Sequence, residues 1–519
     1  MFSKAGWALP TIPFANNFSF GGLKSSWLVW SEMISQDSND YITTPRHRPK
    51  LVIAGASGSI GTALCRELAE DYEIVALTRS LAGSKLQDKN IPVTWQYCDF
   101  FSMRGVEAAL AGIEFAIYLI HTRVPTARLD QAQSEEMDLL LADNFARAAR
   151  KNGIKQIVYL GGIIPEGAIN SPLIQSRKEI VEVLSSPGTA VTTLRASLIV
   201  GPGSSIVNLL ANIVRSSPFV LVPRWALTRK QPIALTDVLR AIRCCLGNKE
   251  SFGKDYDIGG KTIMNFREIM KDAAEVLGKK RIILTLPILP RRLYFWWIRL
   301  LDRKAHPGLV RLMIEALQYN VVARNNPLQE MLVKDAIPAR QALDPHLEGE
   351  DKKLPSNPRS AFQGDEDSDL QLKSRVRSIQ RLRLPRGRNA AWVADYYFQW
   401  LSRLLHPFVL SEIDDAGSCN VYARIPRLRI LGLTFRPDHS TPGRRLYFIT
   451  GGILAKVFGS RGARLEFRDI LSNRFTIVAI HDFRPSLPWF FYVATQAIIH
   501  KIVMSVFQRH MARLADQTQ

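Results

Sequence analysis

The chain has 519 residues, of which 46% are apolar and 22% charged, so we expect two or three domains with cores of their own and exclude wholesale disorder. The net charge of +21 would attract polyanions, but no helix-turn-helix, zinc-finger or RNA-binding signature accompanies it, which argues against nucleic acid as a partner. Five cysteines without a Cys-x-x-Cys or Cys/His cluster predict neither a disulfide framework nor a zinc site, and they favour a reducing compartment.

The first half of the chain alternates strand-like and helix-like segments. Residues 1–49 show no sustained apolar period and no secretory signal pattern, so we interpret them as an N-terminal extension and expect a cytoplasmic protein. From Lys50 an apolar run, a glycine turn and a helical stretch lead to a second apolar run, Glu73–Leu77. Further buried-strand candidates are Val93–Tyr97, Phe115–Ile120, Gln156–Leu160 and Ala190–Leu194, with helical segments such as Gln133–Lys151 between several of them. This alternation predicts an α/β fold over residues 50–335, with a doubly wound parallel sheet covered by helices.

The second half begins with helical, aromatic and basic segments. Arg291–Arg299 is interpreted as a helix that packs on the preceding domain or, alternatively, as a basic amphipathic helix in peripheral contact with a membrane surface. Residues 336–373 are rich in Asp, Glu, Lys, Pro and Ser and are predicted to form a flexible linker. Over residues 374–519, strand-like runs precede a long final helix and predict an α+β domain. The runs are Cys419–Ala423, Ala463–Phe467 and Phe475–His481.

The last apolar stretch, Leu487–Phe507, approaches membrane-spanning length. The residues within it that would be costly at the centre of a bilayer are Pro488, Gln496, His500 and Lys501. We therefore predict a packed amphipathic helix over Trp489–Met511. The positions at near-helical spacing are Trp489, Tyr492, Val493, Gln496, Ile499, Val503 and Phe507.

A glycine-rich turn directly follows the first apolar strand and opens a helix. Its residues are Gly55, Ala56, Ser57, Gly58, Ser59, Ile60 and Gly61. Glycines let the chain turn tightly and let backbone N–H groups approach a pyrophosphate, while the helix N-terminus supplies partial positive charge. Between two strands and before a helix, the motif predicts a Rossmann dinucleotide-binding site rather than a degenerate structural loop.

The residues after the second and third strands bear on the choice of cofactor. An acid at the end of the second strand would bind an unphosphorylated ribose, but Arg79 and Ser80 stand there and can pair with a 2′-phosphate. NADP(H) is therefore favoured over NAD(H), with a solvated surface arginine as the alternative for Arg79. Asp99, followed by Phe100, is placed to accept a hydrogen bond from the adenine amino group or, alternatively, to cap a helix.

Several landmarks together resemble the atypical short-chain dehydrogenases of the NmrA-like type over residues 51–260. They are the glycine spacing, Arg79, Asp99, the strand Ile117–His121 and Asn144. By this resemblance the cofactor contacts on the nicotinamide side are His121, Gly161, Ala196 and Ile199. A hydrogen-bonded loop histidine is the alternative for His121.

The segment that matches the catalytic helix of short-chain dehydrogenases departs from their pattern. Active members pair a Tyr with a Lys four residues on, and the Lys lowers the pKa of the phenol. Here Leu173 or Ile174 stands at the Tyr position, and the usual Ser one strand earlier is replaced by glycine. Tyr159 is expected to face the core. The candidates for a catalytic group are therefore His121, Ser176, Arg177 and Lys178.

The C-terminal segments Tyr447–Leu454, Arg464–Arg468 and His481–Trp489 resemble an uncharacterised domain commonly fused behind atypical short-chain dehydrogenases, which is similar to START-like helix-grip domains. The resemblance implies a curved antiparallel sheet around the final helix, with an apolar cavity for a lipid, quinone or polyketide-like molecule. A filled core without ligand is the alternative. The charged residues expected either at the cavity mouth or on an ion-paired surface are Glu466, Arg468, His481, Asp482 and Arg484.

Three hypotheses of function follow from these patterns. The leading one is an NADPH-dependent oxidoreductase acting on a hydrophobic small molecule that the C-terminal domain holds. The first alternative is a non-catalytic NADP(H)-binding sensor, regulator or assembly factor, because the usual Tyr is absent. The second is a lipid or quinone handler peripheral to the inner face of a membrane, because the basic charge and the aromatic segment around Trp296 suit such a surface.

Overall fold

The structure, a computed structural model, describes residues 48–79, 92–121, 129–165, 171–185, 188–347, 376–455 and 463–518. The predictions for residues 1–47, for Ser80 and for most of the linker fall outside these ranges.

Seven parallel strands form the central sheet of the N-terminal half. The strands before residue 300 are β1 Lys50–Ala54, β2 Glu73–Thr78, β3 Val93–Tyr97, β4 Phe115–Tyr118, β5 Leu129–Gln131, β6 Gln156–Gly162, β7 Ala190–Ala196, β8 Ile199–Val200, β9 Phe219–Pro223, β10 Ile233–Ala234, β11 Asp255–Ile258 and β12 Ile282–Leu286. The sheet order is β3-β2-β1-β4-β6-β7-β11, with every pair parallel. This is the predicted Rossmann topology, and its switch point between β1 and β4 is where such sheets bind ligands.

Helices cover both faces of this sheet. They are α1 Ser59–Glu67, α2 Met103–Ala109, α3 Ser134–Lys151, α4 Pro172–Leu184, α5 Ser205–Ser216, α6 Leu235–Cys245, α7 Phe266–Val276, α8 Arg291–Leu301, α9 Pro307–Ala316, α10 Pro327–Lys334 and α11 Ala339–Leu347. One face packs against α3, α2 and α4, and the other packs against α1 and α6. The helices α5, α7, α8 and α9 form a further cluster around Phe266 and Tyr294.

An antiparallel sheet with helices on one face forms the C-terminal part. Its elements are β13 Val376–Arg383, α12 Ala390–Leu404, β14 Val409–Ile413, β15 Cys419–Ala423, β16 Leu428–Phe435, β17 Arg444–Gly451, β18 Arg464–Ile470, β19 Phe475–Phe483, α13 Trp489–Ala494 and α14 Gln496–Gln517. The order is β14-β15-β16-β17-β18-β19-β13, and β5 adds a parallel strand beside β13. The helices α12 and α14 cover one face through an aromatic core around Phe398, Phe467 and Phe507.

The two sheets share one hydrophobic core. The second face of the antiparallel sheet lies on α3 and α4, so that Ile379, Ile470 and Ile477 join the same buried cluster as Leu140 and Phe145 of α3. Helix α3 is consequently buried on nearly all sides, as expected for a helix between two sheets. Arg48–Gln519 forms a single compact unit.

Two sequence predictions about the second half need correction. The range 336–373 was predicted as linker, but its first part forms α11, because Ala339 and Leu343 are buried against α5 and α7. The final helix was predicted as continuous, but it breaks at Thr495, which separates α13 from α14 and changes the direction of the apolar face. Val503 and Phe507 are buried as predicted, whereas Val493 and Ile499 are exposed.

The stretch Trp489–Gln517 is long and apolar enough to cross a membrane by length and composition alone, and an 18-residue window within it has a mean hydropathy of 1.5. Its inner face packs on the antiparallel sheet, as predicted for an amphipathic helix, through Met504, Phe507 and Met511. The outer face is apolar as well and includes Phe490 and Ile498, which the sequence interpretation did not anticipate.

Candidate functional site

The glycine-rich turn between β1 and α1 is packed too tightly for side chains. Gly55 has a φ of +95°, and a Cβ atom there would lie 3.2 Å from the backbone of Leu119. A Cβ atom on Gly61 would lie 2.5 Å from the carbonyl oxygen of Gly55 and 2.6 Å from the Cα atom of Ala56. Helix α1 begins at Ser59, and Gly58 at its N-cap supplies no side-chain acceptor. The N–H groups of the first turn and the helix dipole therefore remain available for an anion.

The residues expected to bind the adenosine end follow β2 and β3 at the same edge of the sheet. Arg79 is exposed directly after β2. The Asp99 side chain accepts a hydrogen bond from the backbone N–H of Phe101 at 3.1 Å. Ser102, not Asp99, caps α2, so the helix-cap alternative for Asp99 is wrong. Phe100 as a whole is buried at 2% exposure, so its ring is not open to the cofactor contact expected of it.

The residues expected on the nicotinamide side lie at the ends of β4 and β6. His121 Nδ1 lies 3.7 Å from Asp138 Oδ2 on α3, and its ring is 6.4 Å from that of Tyr159. Tyr159 is buried as predicted, and burial raises the pKa of its hydroxyl. A half-exposed histidine paired with a carboxylate is therefore the group that can exchange a proton at this edge.

Helix α4 brings one of its three candidate residues to the same edge. A Cβ atom on Gly162 would lie 2.5 Å from Arg177 Nη1, and that nitrogen donates to the carbonyl oxygen of Ile163 at 3.4 Å. Ser176 is buried at 7% exposure, and Lys178 is exposed to solvent. Ile174, one of the two residues that match the Tyr position of the family pattern, is buried in the core.

The other expected contacts surround the end of β6 and β7. Gly161 has no room for a side chain, because a Cβ atom there would lie 2.9 Å from the ring of Tyr159. Ala196 is buried at the end of β7, and Ile199 is half-buried in β8. The loop after β8 approaches the glycine turn, since a Cβ atom on Gly203 would lie 2.8 Å from the Cβ atom of Ser59.

The charged cluster of the C-terminal sheet lies at the interface with α3, not at a cavity mouth. Arg468 Nη1 donates to Asp143 Oδ2 at 2.8 Å and to Asn144 Oδ1 at 2.5 Å, and its Nη2 donates to Glu466 Oε1 at 2.5 Å. Glu466 also accepts from Arg444 at 2.6 Å. The cavity-mouth alternative is therefore wrong. Glu466 and Arg468 are ion-paired, as the other alternative expected, but they are buried, because strand alternation places them on one face without saying what covers that face.

Ionisation within this cluster follows from burial and proximity. Burial alone would raise the pKa of Glu466, but the guanidiniums of Arg468 and Arg444 and the ring of His481 outweigh it and hold the pKa well below its usual range. Burial lowers the pKa of His481 to about 4, and Arg464 acts in the same direction. The neutral ring therefore donates to ionised Glu466, with Nε2 and Oε2 3.2 Å apart.

The cluster reaches the loop that carries Asp99. Asn144, which belongs to the family resemblance, donates to the carbonyl oxygen of Phe100 at 2.8 Å. Arg464 donates to the carbonyl oxygen of Phe101 at 3.0 Å, and the guanidinium of Arg377 lies 3.6 Å from the centre of the Phe101 ring. The sequence could not reveal these links, because each joins residues far apart in the chain.

The cavity expected in the C-terminal part is present but small. It has a volume of about 90 Å³ between α12, α14 and the sheet. Most of the side chains that line it are apolar. Among them lie His500 and Ser378, whose Nε2 and Oγ atoms form a hydrogen bond 3.0 Å long. Since an apolar cavity of about 150 Å³ is needed to hold benzene, a lipid or quinone would require this one to open.

Comparisons with known proteins agree with the sheet topology. Residues 55–197 match the family model for NAD(P)H-binding domains. The protein named Auxiliary protein GraX from Staphylococcus aureus is 30% identical over 186 residues, which are 35% of this chain and 55% of that protein. NADH dehydrogenase (ubiquinone) 1 alpha subcomplex subunit 9, mitochondrial, from Arabidopsis thaliana is 21% identical over 226 residues, 42% of this chain and 55% of that protein. The chain thus matches about half the length of these curated relatives.

Two solved structures align with part of the chain at low identity. A nucleoside-diphosphate-sugar epimerase from Staphylococcus aureus has a TM-score of 0.46 at 16% identity, covering 57% of this chain and 99% of that chain. Triphenylmethane reductase from Citrobacter sp., complexed with NADP(H), has a TM-score of 0.45 at 18% identity with the same coverage. Residues 55–197, which match the NAD(P)H-binding family model, thus lie within the part of the chain that forms a sheet with the Rossmann strand order.

Proposed function

We propose that the chain binds NADP(H) across the β1–β4 switch point and transfers hydride between it and a hydrophobic small molecule. The observation that carries the binding site is the glycine turn, in which the missing side chains of Gly55 and Gly61 leave the N-terminus of α1 accessible to a pyrophosphate. The remaining turn residues, from Ala56 to Ile60, would contact the cofactor through their backbone.

The preference for NADP(H) over NAD(H) rests on Arg79. An exposed guanidinium at the end of β2 suits a 2′-phosphate, and Asp99 at the end of β3 suits the adenine amino group. Calorimetric titration with NADPH, NADP, NADH and NAD tests this. Arg79→Ala should weaken NADPH binding at least about tenfold while leaving NADH binding unchanged, because a charge-assisted hydrogen bond contributes about 1.5–3 kcal/mol. Arg66→Ala, an exposed arginine farther along α1, is the matched control.

The proposal of hydride transfer is based on two polar groups that lie near the ends of β4 and β6, His121 and Arg177. NADPH, when bound, supplies the hydride to the carbon of a carbonyl or enone and becomes NADP. The guanidinium of Arg177 would stabilise the negative charge that develops on the oxygen, and protonated His121, held by Asp138, would give that oxygen its proton.

The test is the NADPH-dependent turnover of a panel of hydrophobic carbonyls and enones. Arg177→Met should lower kcat at least about a hundredfold without changing the Kd of NADPH, and His121→Gln should lower kcat by a similar factor. Lys178→Met, an exposed neighbour on α4, should leave kcat unchanged. Tight NADPH binding without turnover of any substrate would contradict the catalytic half of the proposal and leave the binding half intact.

The C-terminal part is proposed to be a START-like helix-grip domain that presents the hydrophobic molecule. The element order, one strand, a helix, six antiparallel strands and a long terminal helix over the sheet, supports this. The domain boundaries that go with it are residues 50–335 and 374–519. The small size of the cavity implies that α14 must move away from the sheet for a ligand to enter.

A non-catalytic NADP(H) sensor, regulator or assembly factor is the second candidate. The two candidates for the Tyr position of α4, Leu173 and Ile174, are both apolar, and the relatives bear names of an auxiliary protein and of a complex subunit. This candidate predicts different affinities for NADP and NADPH and no turnover. A third candidate, a lipid or quinone handler at a membrane, depends on the exposed surface of α8.

A further inference from the structure

The surface of α8 is apolar where a soluble helix is normally polar. Leu293, Trp296 and Leu300, at positions i, i+3 and i+7, lie on one face and are 59%, 68% and 65% exposed. Ile288, just before the helix, is 87% exposed. An ordinary surface helix points its apolar stripe at the core and its polar residues at solvent. Here the outward stripe, the α8 surface, is defined by these four side chains.

The inward face of α8 is separately occupied, so the α8 surface is not a misplaced core. Tyr294 and Ile298 are buried at 1% and 0% exposure. The ring of Tyr294 stacks on Trp297 with centroids 5.5 Å apart and meets Trp225 edge-on at 5.6 Å. Trp225 Nε1 in turn donates to the carbonyl oxygen of Leu289 at 2.8 Å. The helix is thus held rigidly on the domain with Trp296 pointing away from it.

The residues flanking the α8 surface carry charge of a single sign. Between Lys279 and Lys304 the sequence has eight basic residues and one acidic residue, Asp302. Asp302 is buried at 9% exposure and accepts from Asn212 at 2.9 Å, and the segment keeps a net charge of +7, eight basic residues less one acidic residue. Arg299 donates to the carbonyl oxygens of Arg303 and Ala305, which keeps the next basic residues folded against the end of α8.

We propose that the α8 surface docks on an anionic phospholipid bilayer. Apolar side chains centred on a tryptophan and bordered by arginine and lysine are the pattern by which helices lie in the headgroup region, where aliphatic groups enter the acyl boundary and cations face phosphates. A nucleic acid would leave Leu293, Leu300 and Ile288 in water. The docking is independent of cofactor binding and does not rest on the proposed oxidoreductase activity.

A second exposed apolar surface, on α13 and α14, lacks this charge. Phe490, Phe491, Ile498 and Ile502 of α13 and α14 are exposed, but Lys501 is the one basic residue between Trp489 and Ile502. The exposed surface of α13 and α14 therefore serves as an internal control, because it is hydrophobic but lacks the basic charge of the α8 surface.

The test is flotation of the full chain with vesicles of phosphatidylcholine alone or of equal parts phosphatidylcholine and phosphatidylglycerol. We expect binding to the anionic vesicles that falls with added salt. Trp296→Ser combined with Leu300→Ser should weaken partitioning at least about tenfold. Arg291→Gln combined with Arg292→Gln should weaken it about thirtyfold, since each basic residue near an anionic surface contributes about fivefold.

The matched control is Ile498→Ser combined with Ile502→Ser, which removes equally exposed side chains from α14 and should leave partitioning unchanged. All substituted side chains are exposed, so unchanged thermal unfolding will verify that the variants fold. Binding that the α14 variant abolishes and the α8 variants retain would overturn the proposal. So would absence of vesicle binding in low salt, an oligomer that Trp296→Ser dissociates, or binding to RNA that needs the arginines but not Trp296.

Discussion

Gly61 illustrates how a single missing side chain shapes the candidate cofactor site. A methyl carbon there would lie 2.5 Å from the carbonyl oxygen of Gly55. This oxygen belongs to the backbone and cannot rotate away as the end of a side chain could. Gly61→Ala should therefore lower the free energy of unfolding by about 1–3 kcal/mol and abolish NADPH binding. Gly105→Ala, also within a helix, has its nearest contact at 3.4 Å and should be neutral or stabilising by up to about 1 kcal/mol. Urea unfolding of the two variants measures the difference.

His500 gives the chain a stability that depends on pH. Burial in the apolar cavity lowers the pKa of His500 to about 4, whereas in the unfolded chain it titrates near 6.5. Between these values the unfolded state binds a proton that the folded state does not, so the free energy of unfolding falls as the pH falls. The stability that the neutral, buried His500 contributes is fully present above about pH 6.5. Below that pH it is lost at up to about 1.4 kcal/mol per pH unit, until about pH 4.

The measurement for His500 is urea unfolding at several pH values between 4 and 7 for the wild type and His500→Gln. Glutamine keeps a donor for Ser378 Oγ but cannot take up the proton, so the variant should show a shallower fall in stability with acidity. Equal slopes in the two proteins would contradict the assignment. His481, whose pKa burial also lowers to about 4, accounts for part of the slope that remains.

At the residue scale, the sequence predicted what is local and missed what is not. The glycine turn, Arg79 and Asp99 follow consecutive strands, so their positions at one sheet edge could be predicted from strand order. Asp138 could not be recognised as the partner of His121, because it lies on the next helix and the choice depends on side-chain packing. For α4 the sequence left Ser176, Arg177 and Lys178 equivalent, and helix rotation decides between them.

At the scale of elements, the buried ion cluster ties the antiparallel sheet to α3. Arg468 is fully buried among Glu466, Asp143 and Asn144, so Arg468→Met would remove the buried charge that joins the two carboxylates and leave Glu466 to Arg444 and Asp143 to Arg147. We expect the free energy of unfolding to fall by about 3–5 kcal/mol. Arg474→Met removes the partner of Glu182 at the same interface, but this pair is exposed and should be worth at most about 1 kcal/mol.

Denaturant unfolding of both arginine variants distinguishes a buried network from a solvated one. If Arg468→Met costs no more than Arg474→Met, the cluster is open to water and its burial is not what holds the sheet on α3.

Elements themselves were largely predictable, since periodicity located β3, β15 and most of α3 within a residue or two. What covers each element could not be predicted. Asp143 and Asn144 of α3 are buried polar residues, and their partner Arg468 lies in the other sheet.

At the scale of the molecule, the parallel sheet was predictable and the union of the two sheets was not. Alternating strands and helices predict a doubly wound sheet from local pattern alone. The pairing of β5 with β13 joins segments far apart in the chain, and neither has a sequence feature that selects the other. Two independent domains were therefore the natural expectation from composition, whereas the structure gives them a common core.

This common core predicts that the two sheets unfold together. Leu140 of α3 is fully buried in the cluster that contains Ile470 and Ile477 of the antiparallel sheet, so Leu140→Ala should lower the free energy of unfolding by about 2–5 kcal/mol for both sheets. Hydrogen exchange under native conditions measures this, through peptides that cover β1 and β4 and others that cover β18 and β19. The most protected amides in both sets should exchange faster by a similar factor in the variant. Acceleration confined to the parallel strands would show that the antiparallel sheet is a separate folding unit, and that the contacts through α3 are those of two domains rather than of one core.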